Sequence, residues 1–269
     1  MTDRINISID KGVADVRLVR EDKMNALDDA MFARLISAAE EINADKSVRV
    51  VVLSGQGRAF CAGLDMGNFG KMAESGPKDD SVAGGRLTPR THGIANRAQQ
   101  AVWGWHSLRV PVIAAVHGVA LGGGFQVALG ADIRIVHPET KLSILEVKWG
   151  LVPDMSSTAI MRRLAREDVI RELTYTGRIF SGTQALEYGF ATKLSETPYE
   201  DAMNLAQLIA EKSPSAVQAA KKLYNHIADQ DDAEALQTES VIQDELMGGK
   251  NQIEAVMAGL QKRAGNFVD

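Results

Sequence analysis

Two carboxylates interrupt a largely apolar stretch in the middle of the chain. Glu146 and Asp154 lie eight residues apart within residues 142–154. A carboxylate in apolar surroundings has a raised pKa and can exchange protons near neutral pH, so the pair is a candidate for general acid–base catalysis. Two simpler interpretations remain open: Glu146 forms an ion pair with a nearby Lys or Arg, and Asp154 only caps the next helix, which residues 156–158 could also do.

Two turns that contain glycine each follow a short β-branched segment. Residues 60–65, Phe-Cys-Ala-Gly-Leu-Asp, follow residues 48–53, and residues 122–125, Gly-Gly-Gly-Phe, follow residues 112–116. Such turns can leave backbone N–H groups unpaired, and glycine lets a ligand approach the backbone closely. Two of these donors directed at one point would form an oxyanion hole. The alternative for either turn alone is close packing of a strand against a helix.

Common motifs for other chemistries are missing from the sequence. There is no Gly-x-x-x-x-Gly-Lys-[Ser/Thr] phosphate loop, no Gly-x-Ser-x-Gly nucleophile turn and no dinucleotide-type glycine spacing. The five histidines show no His-x-x-x-His pair, and the single cysteine, Cys61, lacks a local histidine partner. We therefore expect no metal site, no redox cofactor and no disulfide, and we expect a buried rather than a nucleophilic thiol at Cys61.

The elements that would position these residues alternate between strand and helix. A period of two predicts a β-hairpin over residues 5–9 and 13–19, and helical spacing predicts a helix that begins at Asp28 or Asp29. Further predicted elements are buried parallel strands at 48–53, 112–116 and 132–136, a helix at 91–107 and a short helix at 125–129.

Two stretches depart from this alternation. Residues 67–90 are rich in Gly, Ser, Asp and Pro and have no clear period, which predicts a mobile loop or an insertion. After about Pro198, Ala, Leu, Gln, Lys and Glu dominate, and four helical segments without a strand are predicted. The sequence thus predicts an α/β core over residues 1–197 and a helical region over residues 198–269.

The composition limits the partners of the chain. In 269 residues, 30 Lys and Arg stand against 35 Asp and Glu, which gives a net charge of −5. A general nucleic-acid binder needs a basic face, so we expect no nucleic-acid partner. The N-terminus alternates, and glycines break the longest apolar stretch, residues 110–129. We therefore expect neither a signal peptide nor a membrane span and predict a soluble, cytoplasmic protein.

A longer segment around the second glycine turn resembles a known family signature. Residues 116–129, Val-His-Gly-Val-Ala-Leu-Gly-Gly-Gly-Phe-Gln-Val-Ala-Leu, are similar to that of the crotonase superfamily, the enoyl-CoA hydratases and isomerases. Residues 23–27 resemble the early CoA-binding loop of this family, and residues 60–65 resemble its first oxyanion turn. Residues 177–189 are similar to its late helix-turn and residues 262–267 to its ending.

The resemblance implies a spiral of ββα units with a helical C-terminal trimerisation region, and hence a homotrimer or a dimer of trimers. It also implies a CoA thioester as substrate, of the kind met in fatty acid β-oxidation, with no cofactor besides the coenzyme A that is part of it. The backbone N–H groups of Leu64 and Gly123 would hold the thioester oxygen and stabilise an enolate. The residues that the resemblance places at the substrate are Lys23, Asn25, Ala26, Ala62, Asp65 and Gly122.

One position departs from the hydratase pattern. Hydratases of this family use two glutamates; here Gln126 replaces the first and Glu146 retains the second. Asp154 follows at the spacing of the dienoyl-CoA isomerase branch, although that branch carries an aspartate where Gln126 stands. We therefore predict an isomerase of unsaturated acyl-CoA, in which Glu146 and Asp154 transfer protons and Gln126 orients a carboxylate or the thioester. The alternatives are a hydratase that uses Glu146 and a bound water, and a catalytically silent CoA-binding subunit.

Overall fold

Two β-sheets carry the fold of the computed structural model, which describes residues 4–65, 67 and 87–269. The strands are β1 (Ile5–Asp10), β2 (Val13–Leu18), β3 (Val50–Gly55), β4 (Val112–Val116), β5 (Val119–Leu121), β6 (Ile133–Val136), β7 (Lys141–Ser143), β8 (Phe180–Ser181) and β9 (Lys193–Leu194). The larger sheet has the order β1-β2-β3-β4-β6-β9, and the smaller has the order β5-β7-β8.

Helices surround both sheets. They are α1 (Asp29–Ala44), α2 (Arg97–His106), α3 (Gly123–Leu129), α4 (Ser157–Met161), α5 (Glu167–Thr176), α6 (Gly182–Tyr188), α7 (Pro198–Ala210), α8 (Pro214–Ile227), α9 (Asp232–Leu246) and α10 (Lys250–Gln261). Two 3-10 helices, Glu21–Lys23 and Glu146–Trp149, lie in connecting segments. In the described part of the chain, no helix is both long and apolar enough to cross a membrane.

The predicted hairpin and parallel strands are confirmed. β1 and β2 pair antiparallel around Lys11 and Gly12, whose φ angles of 47° and 81° suit a two-residue turn between twisted strands. β2, β3, β4, β6 and β9 pair in parallel. The third strand is Val50–Gly55 rather than residues 48–53, a shift of two residues toward the first glycine turn.

Local capping decides where the helices begin. α1 starts as predicted because Asp28 accepts a hydrogen bond from the Met31 N–H at 2.8 Å. The helix predicted over residues 91–107 begins only at Arg97, since Asn96 and Gln99 form a reciprocal capping box there. Of the mobile loop predicted over residues 67–90, only residues 67 and 87–90 lie within the described residues.

Alternate residues of the central strands pack into two different cores. Val51 and Leu53 of β3 belong to the core under α1, α2 and α3. Val50 and Val52 of the same strand belong to a second core, which Ala202 and other small residues of α7 complete from the opposite side. Because both faces of these strands are covered, their sequences are continuous runs of apolar residues without alternation.

The C-terminal region contains the four predicted helices, α7 to α10, and residues 198–269 contain no strand. The predicted boundary at residue 197 stays a prediction, and α7 itself packs against the larger sheet. The mixed α/β architecture predicted from the sequence is thus the observed one.

A buried ion pair attaches α8 to the sheet. The Lys221 ammonium lies 2.7 Å from the Asp132 carboxylate and donates a second hydrogen bond to the Val110 carbonyl at 2.9 Å. Asp132 also accepts from the Val112 N–H at 2.7 Å. Burial lowers the pKa of Lys221, while the charge of Asp132 opposes that effect. Removal of Lys221 would leave the Asp132 carboxylate without its ion-pair partner, so the pair stabilises the contact of α8 with the sheet.

Replacing Lys221 tests this attachment, and its neighbour Lys222 is a matched control. We expect Lys221→Met to lower the free energy of unfolding by about 2–3 kcal/mol, because it leaves Asp132 buried in large part without its partner. Lys222→Met should change it by less than about 1 kcal/mol, since Lys222 and Glu245 are exposed and 3.6 Å apart. Denaturant titration measures both, and equal losses would contradict the assignment.

Candidate active site

A buried amide and a buried carboxyl group lie in direct contact between α3 and the second 3-10 helix. The Gln126 side-chain nitrogen, on α3, donates to Glu146 Oε1 at 2.6 Å. Gln126 is 1% exposed and Glu146, the first residue of its 3-10 helix, is 9% exposed. The interpretation that Glu146 pairs with a Lys or Arg is therefore wrong: in the described residues its side-chain partner is Gln126.

The orientation of the Gln126 amide is fixed from its other end. Its carbonyl oxygen accepts from the Met155 backbone N–H at 2.9 Å and from the Ser157 hydroxyl at 2.7 Å. A backbone N–H can only donate, so this terminal atom of Gln126 is the oxygen and the NH₂ group faces Glu146. The amide can therefore give a hydrogen bond to Glu146 but cannot exchange a proton with it at neutral pH.

The second oxygen of Glu146 is in a different position. Oε2 is buried and has no hydrogen-bond partner among the described residues. Burial raises the pKa of Glu146, and the nearby charge of Asp154 raises it further, whereas the backbone N–H groups of Glu146 and Leu145 and the hydrogen bond from Gln126 lower it. A carboxyl group with a raised pKa and one unused oxygen can hold or release a proton at that oxygen.

Asp154 is exposed, in contrast to Glu146. Asp154 does not occupy the capping position of the next helix, because Ser156 stands there, and the Ser156 side chain forms no cap hydrogen bond. Ser157, which the sequence suggested only as a cap, instead donates to Gln126. The two carboxylates therefore differ in burial: Glu146 is buried, with a raised pKa, and Asp154 is exposed.

The two glycine turns lie against each other. The Cys61 N–H donates to Val119 O at 3.0 Å, and the Leu121 N–H donates back to Cys61 O at 3.2 Å. Gly63 has a φ of +87°, and a Cβ atom there would lie 2.4 Å from Leu121 O. Only glycine permits this approach, so the two turns can meet.

Each turn leaves a backbone donor unused. The Gly63 carbonyl accepts from the Leu27 N–H, and the Asp65 N–H donates to the Leu27 carbonyl. These two hydrogen bonds do not use the N–H of Leu64, which lies between Gly63 and Asp65 in the chain. Within the described residues, neither the Leu64 N–H nor the Gly123 N–H donates a hydrogen bond. Gly123 is also the first residue of α3, where helix geometry leaves N–H groups without partners.

The carboxyl group lies beside the second turn. A Cβ atom on Gly122 would lie 3.4 Å from Glu146 Oε1. The unused donors of the two turns and the Glu146 carboxyl group therefore belong to one region of the molecule. This arrangement can hold a developing oxyanion while a proton is transferred.

The loop predicted to bind coenzyme A is held by a buried asparagine. Asn25 has a φ of +56°, accepts from the Arg20 N–H at 2.8 Å and donates to Ala59 O at 2.8 Å and to Gln56 O at 3.0 Å. Its side chain is thus fully used within the protein. Lys23 is exposed at the end of its 3-10 helix.

The remaining predicted substrate-binding residues join this loop to the first turn. The Ala62 N–H donates to Met24 O at 2.9 Å. Arg20 donates to Ala26 O at 2.9 Å and lies 2.6 Å from the Asp65 carboxylate. A hydrogen bond from the Gly67 N–H lowers the pKa of Asp65, and Arg20 adds to that effect. Arg20, which the sequence analysis missed, therefore organises both segments.

Cys61 is a buried free cysteine, as the sequence predicted. The thiol is buried and donates to the Asn25 carbonyl at 3.1 Å. Burial raises its pKa to about 12, so a thiolate would not form at neutral pH. In the described residues, no group of three or more His, Cys, Asp and Glu side chains is arranged to hold a metal ion.

Comparisons with known proteins agree with this geometry. The family model described as Enoyl-CoA hydratase/isomerase matches residues 8–269. A Bacillus subtilis protein named "Probable enoyl-CoA hydratase" is 30% identical and is covered over 98% of both chains. The mitochondrial Delta(3,5)-Delta(2,4)-dienoyl-CoA isomerase of Dictyostelium discoideum is also 30% identical, over 81% of this chain and 74% of its own length.

A solved structure shows the same fold. The enoyl-CoA hydratase of Bacillus anthracis superimposes with a TM-score of 0.86 at 28% sequence identity, covering 98% of each chain. The family match spans nearly the whole sequence and includes both glycine turns and Glu146. The chain is therefore a member of the enoyl-CoA hydratase/isomerase family, within the crotonase superfamily.

Proposed function

We propose that this protein moves a double bond along the acyl chain of an unsaturated, in particular a dienoyl, CoA thioester. The observation that carries the proposal is the contact between Gln126 and Glu146. Where a two-glutamate hydratase has a second carboxyl group to activate water, this site has an amide that cannot accept a proton at neutral pH. Coenzyme A enters as part of the substrate, and no metal or redox cofactor takes part.

The two carboxylates divide the proton transfers according to their surroundings. Exposed Asp154 is the base that removes a proton from the acyl chain, and buried Glu146, with its raised pKa, is the acid. Electrons from the broken C–H bond move into the thioester, whose oxygen accepts hydrogen bonds from the Leu64 and Gly123 N–H groups. Glu146 then protonates the dienolate at another carbon, and exchange with water returns both carboxylates to their starting states.

Hydration is the second candidate, because relatives named as hydratases accompany the isomerase among the similar proteins. In that case Glu146 would work on a bound water with Asp154 nearby. A silent CoA-binding subunit is the third. Ultraviolet absorbance separates the three: crotonyl-CoA loses its enoyl band on hydration, a 3,5-dienoyl-CoA gains a conjugated 2,4-diene band on isomerisation, and a silent subunit changes neither.

Glu146→Gln should reduce isomerisation by about 100-fold or more, since it removes the proton and general acid–base catalysis is usually worth at least that factor. The amide at this position can still accept the hydrogen bond from Gln126, so thermal unfolding and CoA-ester binding should stay close to those of the wild type. Diene absorbance and calorimetric titration measure the two effects. Retention of more than about a tenth of the activity would contradict proton transfer by Glu146.

Asp154→Asn should abolish isomerisation about as completely, because it removes the base. Thermal stability should not change, since Asp154 is exposed and lies two residues before the capping position of α4. The same diene assay and a thermal melt check this expectation. A variant that isomerises a dienoyl-CoA at the wild-type rate would exclude Asp154 from the mechanism.

Gln126→Glu should increase the hydration of crotonyl-CoA at least tenfold. The new carboxyl group would lie within hydrogen-bond distance of Glu146, where Gln126 now donates at 2.6 Å, and the two groups would share one proton. Such a pair can both deprotonate water and protonate the acyl chain. The loss of enoyl absorbance measures the rate. Rapid hydration by the wild type without a gain in the variant would remove the argument based on Gln126.

We also propose that the chain forms a trimer or a dimer of trimers in the cytoplasm. Ile253, Val256, Met257 and Leu260 of α10 are between 42% and 76% exposed and follow helical spacing, so they form one apolar face. Sedimentation at micromolar concentration should show the oligomer for the wild type. Leu260→Glu should dissociate it and Gln261→Glu should not, whereas a monomeric wild type would refute the proposal.

A further inference from the structure

Two successive hydrogen bonds connect the hydroxyl of Ser157, through the Gln126 amide, to Glu146, the proposed acid. Ser157 donates to the Gln126 carbonyl at 2.7 Å, and Gln126 donates to Glu146 Oε1 at 2.6 Å. Ser157 and Gln126 are each 1% exposed. Because Ser157 is buried, its hydroxyl cannot donate to bulk water instead. The two hydrogen bonds therefore keep these partners.

The backbone at Ser156 makes this convergence possible. Ser156 has a φ of +69°, a left-handed conformation that is uncommon for a residue other than glycine. It brings the Met155 N–H and the Ser157 hydroxyl to the same oxygen of Gln126. Strained backbone of this kind is typical of functional sites, where surrounding contacts hold it in place.

The two oxygens of Glu146 are not equivalent as places for a proton. Oε1 already accepts the Gln126 NH₂ group, so a proton on Glu146 resides on Oε2, the oxygen without a partner in the described residues. If the amide were turned over, its carbonyl oxygen would face Glu146 and accept a hydrogen bond from the protonated carboxyl group. That proton would then be withheld from the substrate.

We infer that Ser157 is a positioning residue that, together with the Met155 N–H, holds the Gln126 amide in the orientation that keeps the proton of Glu146 on Oε2. This inference deepens the proposed function and rests on it for the catalytic part. A turned amide would leave two buried donors, Met155 N–H and Ser157 O–H, facing an NH₂ group. Without the Ser157 hydroxyl only one donor opposes the turn, so the wrong orientation becomes accessible.

The test compares Ser157→Ala with a rescue and a control. Ser157→Thr keeps the hydroxyl, and Thr158→Ala removes an exposed hydroxyl one residue further along α4. We expect Ser157→Ala to lower kcat for a 3,5-dienoyl-CoA about two- to tenfold with KM unchanged, because one hydrogen bond of ordinary strength is lost. Ser157→Thr should recover the rate, and Thr158→Ala should match the wild type.

Infrared titration of the free protein gives a readout that does not depend on turnover. The Glu146 carboxyl band is assigned by its absence in Glu146→Gln. In Ser157→Ala its titration midpoint should move to higher pH, because the amide donates less strongly to the carboxylate or accepts a hydrogen bond from the neutral carboxyl group. The charge of exposed Asp154 acts on Glu146 in both proteins and does not account for a difference between them.

The outcomes are distinct. A midpoint in Ser157→Ala equal to that of the wild type, or an equal shift in Thr158→Ala, would overturn the role of Ser157. A shifted midpoint without isomerisation in the wild type would retain that role and refute the proposed function. If Ser157→Ala does not fold, the Gln126 side-chain amide of the wild type, assigned by its absence in Gln126→Leu, should titrate with the midpoint of Glu146 in NMR spectra. An amide signal that ignores this titration would overturn the inference.

Discussion

A buried carboxyl group faces an amide that can donate to it but cannot accept its proton at neutral pH, and the chemistry of the site depends on this contact. Since Gln126 occupies Glu146 Oε1, the proposed mechanism places the proton on the other oxygen, which has no partner among the described residues. A carboxylate at position 126 would turn the contact into a pair that shares one proton. One atom of difference in a side chain therefore separates a single titrating group from a coupled pair.

The same contact requires support from several elements. Gln126 lies on α3, Glu146 begins a 3-10 helix, and Met155 and Ser157 lie before and at the start of α4. None of these segments is long, so their relative positions depend on their neighbours: α3 packs on β5 of the smaller sheet and against α2 and α4, and the second 3-10 helix packs against α5.

The proposed oxyanion donors depend on backbone geometry rather than on side chains. Gly63 lies so close to Leu121 O that any Cβ atom would separate the two turns. The bridge through Leu27 then uses the N–H and C=O groups on either side of the Leu64 N–H and leaves that donor unused. Backbone donors fixed in this way need little reorganisation when charge develops on a thioester oxygen.

The sequence by itself determined the hairpin, the three buried parallel strands, the four C-terminal helices, the family and the residues of the glycine turns, because hydrophobic period and glycine position are local properties. It also named Glu146 and Asp154 as the pair of carboxylates and Gln126 as the departure from the hydratase pattern. It did not reveal where α2 begins, although the capping box of Asn96 and Gln99 is local. The ion pairs of Lys221 and of Arg20 also stayed hidden, since each depends on a partner far away in the chain. Only the tertiary structure decided that Ser157 supports Gln126 rather than caps a helix, because a hydroxyl group takes whichever acceptor the fold brings to it.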